Sequence, residues 1–569
     1  MKKEKLFELL EDIDEEQVEK ADRFRKKRVG LGVLGTVAAV FLCVMIGVLV
    51  ILQHGKENIE NKVGGKGGAM VQGTGPDCLP TQTPEVTTQP KEQGETASVR
   101  LGEWSKEDES WLSKVTVIDA LIPEPVGRDM TTDEYLTSTL RFQWRNDATV
   151  QAYRRTANAQ ARSMQGFYNA IAGSLLTQSE ENCVCSPLNV YLALSLLAET
   201  TDGNSRKQIL DFLGVADIET LRENIDALWS SNYADTPTFK SILGNSLWLR
   251  NDTTYDENTL KRLGETYHAF SFVGDMGSEE MNQGLRAWTN RATGGLLEQY
   301  VKEMEMSPLT VMEMVSTIYF KARWSDPFQE AATKKGTFHG THGDQEADMM
   351  HKTFYMAYRS DKVTAIQVNL EDGGCVYFFL PKENVSVEEL VTDPEILDAH
   401  RRLLKVGEEL KELDKETEEI IKTLETEEAI SEAVEALWAQ QEERYAQVGW
   451  TNPLVHASIP KFHVDQKTDL IEFLAKQGMT DILNSNVSDF SPLTKDSKGI
   501  AVGKADHAAM VEIDEQGIKG AAYVDFGLLG AGIPKEREEI DFILDRPFIF
   551  VVYSNDGSVL FEGIVRNIE

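Results

Sequence analysis

The chain has 569 residues, 93 of them acidic and 58 basic, for a formal net charge of −35. That balance speaks against nucleic acid as a partner, because phosphates need a surplus of Lys and Arg, and it is simplest as a device for solubility. A hydrophobic content of 41% with 27% charged residues fits one large globular domain with hydrophilic additions, or two to three domains.

Residues 1–28 read as a short acidic amphipathic segment on the cytoplasmic side. Residues 29–52 are apolar except for Thr36 and carry no charge, long enough for a transmembrane helix. Arg23, Arg25, Lys26, Lys27 and Arg28 stand directly before that run, so the N-terminus is expected in the cytoplasm and the rest of the chain outside. The run is too long for a cleaved signal peptide and no small-residue cleavage site follows. Residues 53–100, with Gly64, Gly65, Gly67 and Gly68 and then Thr81, Thr83 and Pro84, form a flexible linker. Such a tether spans about 40 Å. Residues 101–150 give mixed signals and are an unassigned lead-in.

From residue 151 the sequence is globular. A helix is expected over 157–175, a strand over 183–185, and a second helix opening at Ser186 and Pro187 with Val190, Leu194 and Leu197 on one face. Strand patterns recur at 242–249, 314–320, 364–368, 375–380, 455–459, 507–513 and 548–553. Strands and helices mix without regular β-α-β alternation, so the fold class is α+β. Between 388 and 447 the chain becomes strongly charged. Leu403, Val406, Leu410, Leu413, Thr417, Ile420 and Leu424 alternate by threes and fours there, the signature of a helical or coiled-coil insertion. It reads as a solvated insertion packed on itself, with a partner-binding arm as the sharper alternative. The five cysteines show no spacing for zinc or a redox pair; Cys183, Cys185 and Cys375 sit in apolar stretches as core residues. His339 and His342 suit a surface turn better than a metal site, and no catalytic triad suggests itself.

The segment 515–547 is patterned as a strand but composed as a loop. Ile518, Gly520, Ala522, Val524, Phe526 and Leu528 form an apolar or side-chain-free set, while Lys519, Tyr523 and Asp525 of the alternate set carry the polarity. A period of two is what a half-buried strand requires. Its glycines (517, 520, 527, 530 and 532) are poor residues for a permanent strand. The combination points to a segment that changes state.

Several stretches together resemble the serpins over about residues 151–569. They are Asn182 to Asn189 with Thr201-Asp202-Gly203-Asn204; Ser316 to Trp324 followed by Pro327-Phe328; Gly336-Thr337-Phe338-His339 through Met349-Met350-His351; Ile459-Pro460-Lys461-Phe462; Asp489-Phe490-Ser491; His507 before Met510-Val511-Glu512; and Arg546-Pro547-Phe548 through Gly563-Ile564-Val565. The resemblance implies a metastable fold of three β-sheets, eight or nine helices and an exposed reactive loop. It implies a protease inhibitor and not an enzyme: a serine protease cuts the loop, becomes acylated, and is carried away as the loop enters the main sheet.

By the same resemblance the hinge comprises Glu515, Gly517, Ile518, Gly520, Ala521 and Ala522, and the sheet-opening region Ser186, Asn189, Ser316, Trp324, Lys461 and His507. Ile518 stands where the family usually has Thr or Ser, Lys519 where an acid is common, and Gly520 where Ala is usual; Ile518 is expected to slow insertion without forbidding it. Asn189 replaces a common Ser and Ser316 a common Asn, so the polar cluster is rewired but keeps hydrogen-bonding groups. Glu515 and Lys461 match a pair that bridges the hinge to a neighbouring strand. The family's loop spacing places the reactive bond between Ala531 and Gly532, which suits elastase-like or subtilisin-like enzymes. Leu528, Leu529 and Arg537 remain alternatives, and Arg537 would redirect the loop to trypsin-like enzymes. Segment 217–227 carries Asp217, Glu219, Glu223 and Asp226 where relatives activated by sulfated polysaccharide are basic, so a heparin-like cofactor is not expected. Anchor and tether together resemble surface proteins of Gram-positive bacteria. A binding or adhesion protein that keeps the fold without inhibition is the competing reading.

Overall fold

Ser186 converts an extended segment into a helix in one step. Its own backbone is extended (φ −114°, ψ 96°), its hydroxyl accepts from the Asn189 N–H at 3.4 Å, and Pro187 fills the first helical position, where no N–H is needed. The computed structural model describes residues 101–123, 130–131, 134–135, 138, 148–371, 374–424, 426–518 and 537–568.

In chain order the elements are α1 (Glu109–Leu112), β1 (Thr116–Ile118), α2 (Ala148–Ser163), α3 (Gln165–Leu175), β2 (Cys183–Cys185), α4 (Pro187–Thr200), α5 (Gly203–Leu213), α6 (Ile218–Asn232), β3 (Ala234–Asp235) and β4 (Phe239–Arg250). There follow α7 (Glu257–Thr266), β5 (Ala269–Gly274), α8 (Glu279–Ala292), α9 (Glu298–Val301), β6 (Met312–Arg323), β7 (Lys334–Gly340), β8 (Gly343–Phe354), β9 (Ala357–Arg359), β10 (Val363–Asn369) and β11 (Cys375–Pro381). The last are α10 (Val387–Val391), α11 (Pro394–Thr423), α12 (Glu427–Gln447), β12 (Trp450–Thr451), β13 (Leu454–Pro460), β14 (Phe462–Asp469), α13 (Ile471–Lys476), β15 (Asp506–Ile513), β16 (Gly517–Ile518), β17 (Glu539–Ile543), β18 (Phe548–Tyr553) and β19 (Val559–Val565).

Three sheets result, as the resemblance implies. The main sheet runs β1-β5-β4-β6-β16-β15-β14 with β3 beside β4; a second runs β12-β9-β10-β11-β18-β19-β2; a third runs β17-β13-β8-β7. The main and second sheets share a core in which the Phe320 and Phe561 rings lie 6.2 Å apart. Helix α4 is buried along nearly its whole length and touches both β6 and β19, as a helix apolar all round must be. A second cluster on the other face of the main sheet joins Trp111, Trp248, Phe272, Trp288 and Val315.

The helix count differs from the eight or nine implied. Thirteen α-helical segments lie among the described residues. The lead-in adds α1, the insertion adds α12, α9 is a single short turn, and the helix expected over 157–175 is broken in two. The break falls at Met164, whose N–H is shared between the Gln160 and Ala161 carbonyls at 3.1 and 3.3 Å, a tightened turn that re-aims the chain. It lets α3 bury Phe167, Tyr168, Ile171, Ala172 and Leu175. In the insertion, α11 packs on α12 and Gln441 donates to Asp414 at 2.7 Å. Its seam is buried at Val406, Leu410 and Thr417, whereas Ile420 is 54% exposed.

Cys183, Cys185 and Cys375 are buried free thiols. His339 faces Asp344 and His342 faces Glu181, both on exposed surface. No helix among the described residues is long and apolar enough to cross a membrane. Residues 1–100, with the expected span at 29–52 and linker at 53–100, lie outside the described residues.

Candidate functional site

Strand β16 has only two residues, yet it sits between two long strands. Gly517 lies opposite Arg323 and Ile518 opposite Ala322 on β6, while Ile518 lies opposite Ile513 on β15, all antiparallel. Strands β6 and β15 therefore run parallel to each other. Among the described residues β16 alone joins them. Ala322 and Ile513 are both fully buried, so position 518 is level with the core side of the sheet.

Four residues fix this entry point. Asp514 makes a tight turn: its carboxylate accepts from the N–H groups of Gln516 and Gly517 at 2.8 and 3.2 Å, and its own N–H donates to the Gly517 carbonyl at 3.1 Å. Gly517 has φ +151°, and a Cβ there would run into the Ala322 carbonyl oxygen, so the position admits only glycine. Buried Trp324 donates its indole N–H to the Asp514 carbonyl at 2.9 Å and its backbone N–H to the Gln516 carbonyl at 3.1 Å. Glu515 accepts from the Thr333 hydroxyl at 2.8 Å and lies 3.1 Å from the Lys461 ammonium. Burial pushes the Glu515 carboxyl up, but its backbone N–H, Thr333 and Lys461 together outweigh that and hold it below the usual range.

A second cluster lies deeper. The Ser186 N–H donates to His507 Nε2 at 3.0 Å, which makes His507 a neutral ring protonated on Nδ1. Burial pushes its pKa down to about 4. The Asn189 amide donates to the Ser316 carbonyl at 3.1 Å. Asn189 Oδ1 and Ser316 Oγ are buried with no hydrogen-bond partner among the described residues. A buried polar atom left in this way costs about 1–3 kcal/mol.

The structure thus gathers Trp324, Lys461, Glu515, Gly517 and Ile518 at one end of the main sheet, and Ser186, Asn189, Ser316 and His507 beneath its middle. Gly520, Ala521, Ala522, Leu528, Leu529, Ala531 and Gly532 lie outside the described residues. Arg537 is described, its guanidinium 5.5 Å from the Tyr355 ring centre. Sequence reasoning missed Asp514 and Thr333. The first had a signal, an Asp three residues before a Gly, the pattern of a side-chain-closed turn; the second, 182 positions from its partner, had none.

These features define a class of protein: a three-sheet α+β domain whose main sheet holds the two residues Gly517 and Ile518 between two parallel strands. The chain belongs to the serpin family, whose model, described as serpin (serine protease inhibitor), matches residues 162–414 and 411–568. Members are generally protease inhibitors, not enzymes. The chain is 26% identical over 405 residues to Serpin-ZX of Arabidopsis thaliana, covering 68% of this chain and 91% of that relative. It is also 26% identical over 407 residues to Serpin B11 of Mus musculus, covering 67% and 92%. Among solved structures, the thermophilic serpin tengpin in its native state superposes with a TM-score of 0.56 at 22% identity, covering 72% of this chain and 94% of that one.

Proposed function

We propose that this protein is a cell-surface suicide inhibitor of serine proteases. The protease serine attacks the carbonyl carbon of the bait residue, the amine of the next residue leaves, and the acyl-enzyme stays attached to the loop's N-terminal part. That part then enters the main sheet.

The observation that carries this reading is the register of β16. Continued antiparallel from the pair 518–322, it sets residue 528 opposite Met312, the first residue of β6, and on the other side residue 525 opposite Asp506, the first residue of β15. The apolar set of the loop falls level with Ala322, Phe320, Ile318, Ser316, Met314 and Met312, the row that includes the Asn189 and Phe561 contacts. Val524 comes level with both Ser316 and His507. Lys519 comes level with Lys321 and Glu512 on the opposite row. Asp525 comes level with buried Val315 and with Asp506, whose carboxylate lies 3.5 Å from Lys504. Lys467, 3.1 Å from the same Asp506 carboxylate, and Lys504 are the cations nearest that level.

Arg537 is the weakest of the bait alternatives. The next residue, Glu538, accepts from the Leu454 N–H at 2.8 Å and pairs with Arg359 at 2.6 Å, which ties that bond to β13 of the third sheet and β9 of the second. Ala531 and Gly532 keep the spacing, and a small bait residue suits an elastase-like or subtilisin-like enzyme. The apolar run 29–52 and the linker 53–100 supply the anchor and tether that place the domain outside the cell.

Incubation of residues 101–569 with an elastase-like enzyme, subtilisin and trypsin, followed by denaturing gels and sequencing of the released peptide, tests the reading. A band at the summed mass and a new N-terminus at Gly532 are expected. Clean cleavage without such a band moves the protein to the non-inhibitory binding reading. For location, protease added outside intact cells should remove the domain and leave an N-terminal tag protected.

A further inference from the structure

Residues 101–123 precede everything the family match covers, yet they are built into the main sheet. Strand β1 pairs antiparallel with β5, Thr116 opposite Val273 through Ile118 opposite Ser271, and forms the outer edge. Leu121 donates its N–H to the Gly264 carbonyl at 3.0 Å. Ahead of β1, the fully buried Trp111 lies against α8: a Cβ built on Gly284 would stand 2.7 Å from its indole. Trp104 meets Trp111 edge-on with centres 5.5 Å apart, and the Arg291 guanidinium of α8 lies 5.4 Å from the Trp104 ring centre. Asp108, 3% exposed, accepts from the Ser105 N–H at 2.7 Å, from the Trp111 indole at 3.2 Å and from Arg291. The lead-in therefore grips α8 by an indole seated on a glycine and by an ion pair whose Asp108 end is buried.

Helix α8 and the chain after it lie over the main sheet. Trp288 packs in one cluster with Trp248 of β4 and Val315 of β6. Gly294 rides on the Tyr319 ring of β6, where an added Cβ would come within 2.6 Å. A few residues on, Gln299 donates to Asp465 of β14 at 2.7 Å, and the Tyr300 hydroxyl bonds the same carboxylate. The segment 293–300 thus crosses the sheet from β6 to β14. Any strand entering between β6 and β15 must pass beneath it. In the register given by β16, residue 521 is the one level with Tyr319, so the obstruction is met at about the fourth inserted residue.

We propose that residues 101–123 are a clasp that holds α8 and its crossing segment on the main sheet, and so sets the rate at which the reactive loop enters. The proposal rests on the insertion reading. It makes the chain leading from the tether a control on the inhibitor's trigger.

The test uses the full chain in detergent micelles carrying Asp108→Asn and Gly284→Ala. Alanine is a better helix former than glycine, so the second change unseats Trp111 without weakening α8 itself. Amide hydrogen exchange over 279–301 is expected to quicken at least tenfold, with β18 and β19 unchanged. Loop entry, followed as loss of cleavable loop and gain of heat resistance, is expected to quicken at least threefold. Wild-type exchange over 279–301, or faster exchange with entry at the wild-type rate, overturns the clasp. Absence of entry in the wild type even after the loop is cut overturns the insertion reading, and the clasp with it. If the double variant fails to fold, Asp108→Asn alone, which leaves the indole seated, is read in the same way.

Discussion

His507 and Glu562 are buried titratable side chains that pull stability in opposite directions with pH. His507 is neutral in the fold, with its pKa pushed down to about 4 by burial, against about 6.5 in an unfolded chain. The unfolded state binds more protons over that interval, so the contribution is intact above about pH 6.5 and is lost as pH falls towards 4. The difference is worth up to about 3 kcal/mol. His400, pushed by burial to about 3, acts in the same sense, so only a comparison with a variant isolates His507. His507→Gln should flatten the fall in urea midpoint between pH 6.5 and 4 relative to wild type; parallel curves would show that the ring is not neutral and buried as placed. Glu562 is fully buried, and neither carboxylate oxygen has a partner among the described residues. Burial pushes its pKa up to about 8. Here the folded state binds more protons, so the contribution is present below about pH 4.5 and is lost as pH rises through 8. Glu562→Gln, which cannot ionise, should gain a few kcal/mol of stability over wild type at pH 8 and little at pH 5. Equal gains at both pH values would refute that account.

At the scale of elements, the question is what a two-residue strand commits the loop to. Position 518 is level with Ala322 and Ile513, both fully buried. An arginine at position 524, which comes level with Ser316 and buried His507 only on insertion, would bring an unpaired charge into the core at that step, at a cost of several kcal/mol. Val524→Arg should therefore fold normally but act as a substrate, with the ratio of cleaved to trapped inhibitor rising at least tenfold on denaturing gels. Unchanged trapping would mean that the loop enters one residue out of phase, since a single step flips every side chain. The alternation that sets up this test was legible from the chain alone, as were β2, the start of α4 and most long strands, because each depends on neighbours in sequence. Met164 shows the limit: the helical pattern runs through it, and only packing of α3 makes the break worthwhile. The lead-in was opaque for a related reason. Its Trp111 has meaning only against Gly284, and its strand is three residues long and exists only because β5 offers an open edge.

For the whole molecule, the proposal requires that the intact state is not the deepest one available. A loop entering from residue 518 to 528 would gain about a dozen ladder bonds at about 0.5–1.5 kcal/mol each, on the order of 10 kcal/mol. Burial of Val524, Phe526 and Leu528 would add about 1.5–3 kcal/mol apiece. Unfolding entropy near 2.1 cal/mol/K per residue, over a domain of about 400 residues, converts such a gain into a rise in Tm of about 10–20 °C. Calorimetry of material cut once within 519–536 should show that rise over intact protein. The net charge of −35 does not decide the outcome, because both states carry the same charge and nearly the same surface. A cut form that melts at or below the intact form would mean that the native sheet has no room for the loop. The alternating set would then be packing for another purpose, and a binding protein built on the serpin fold would be the better description.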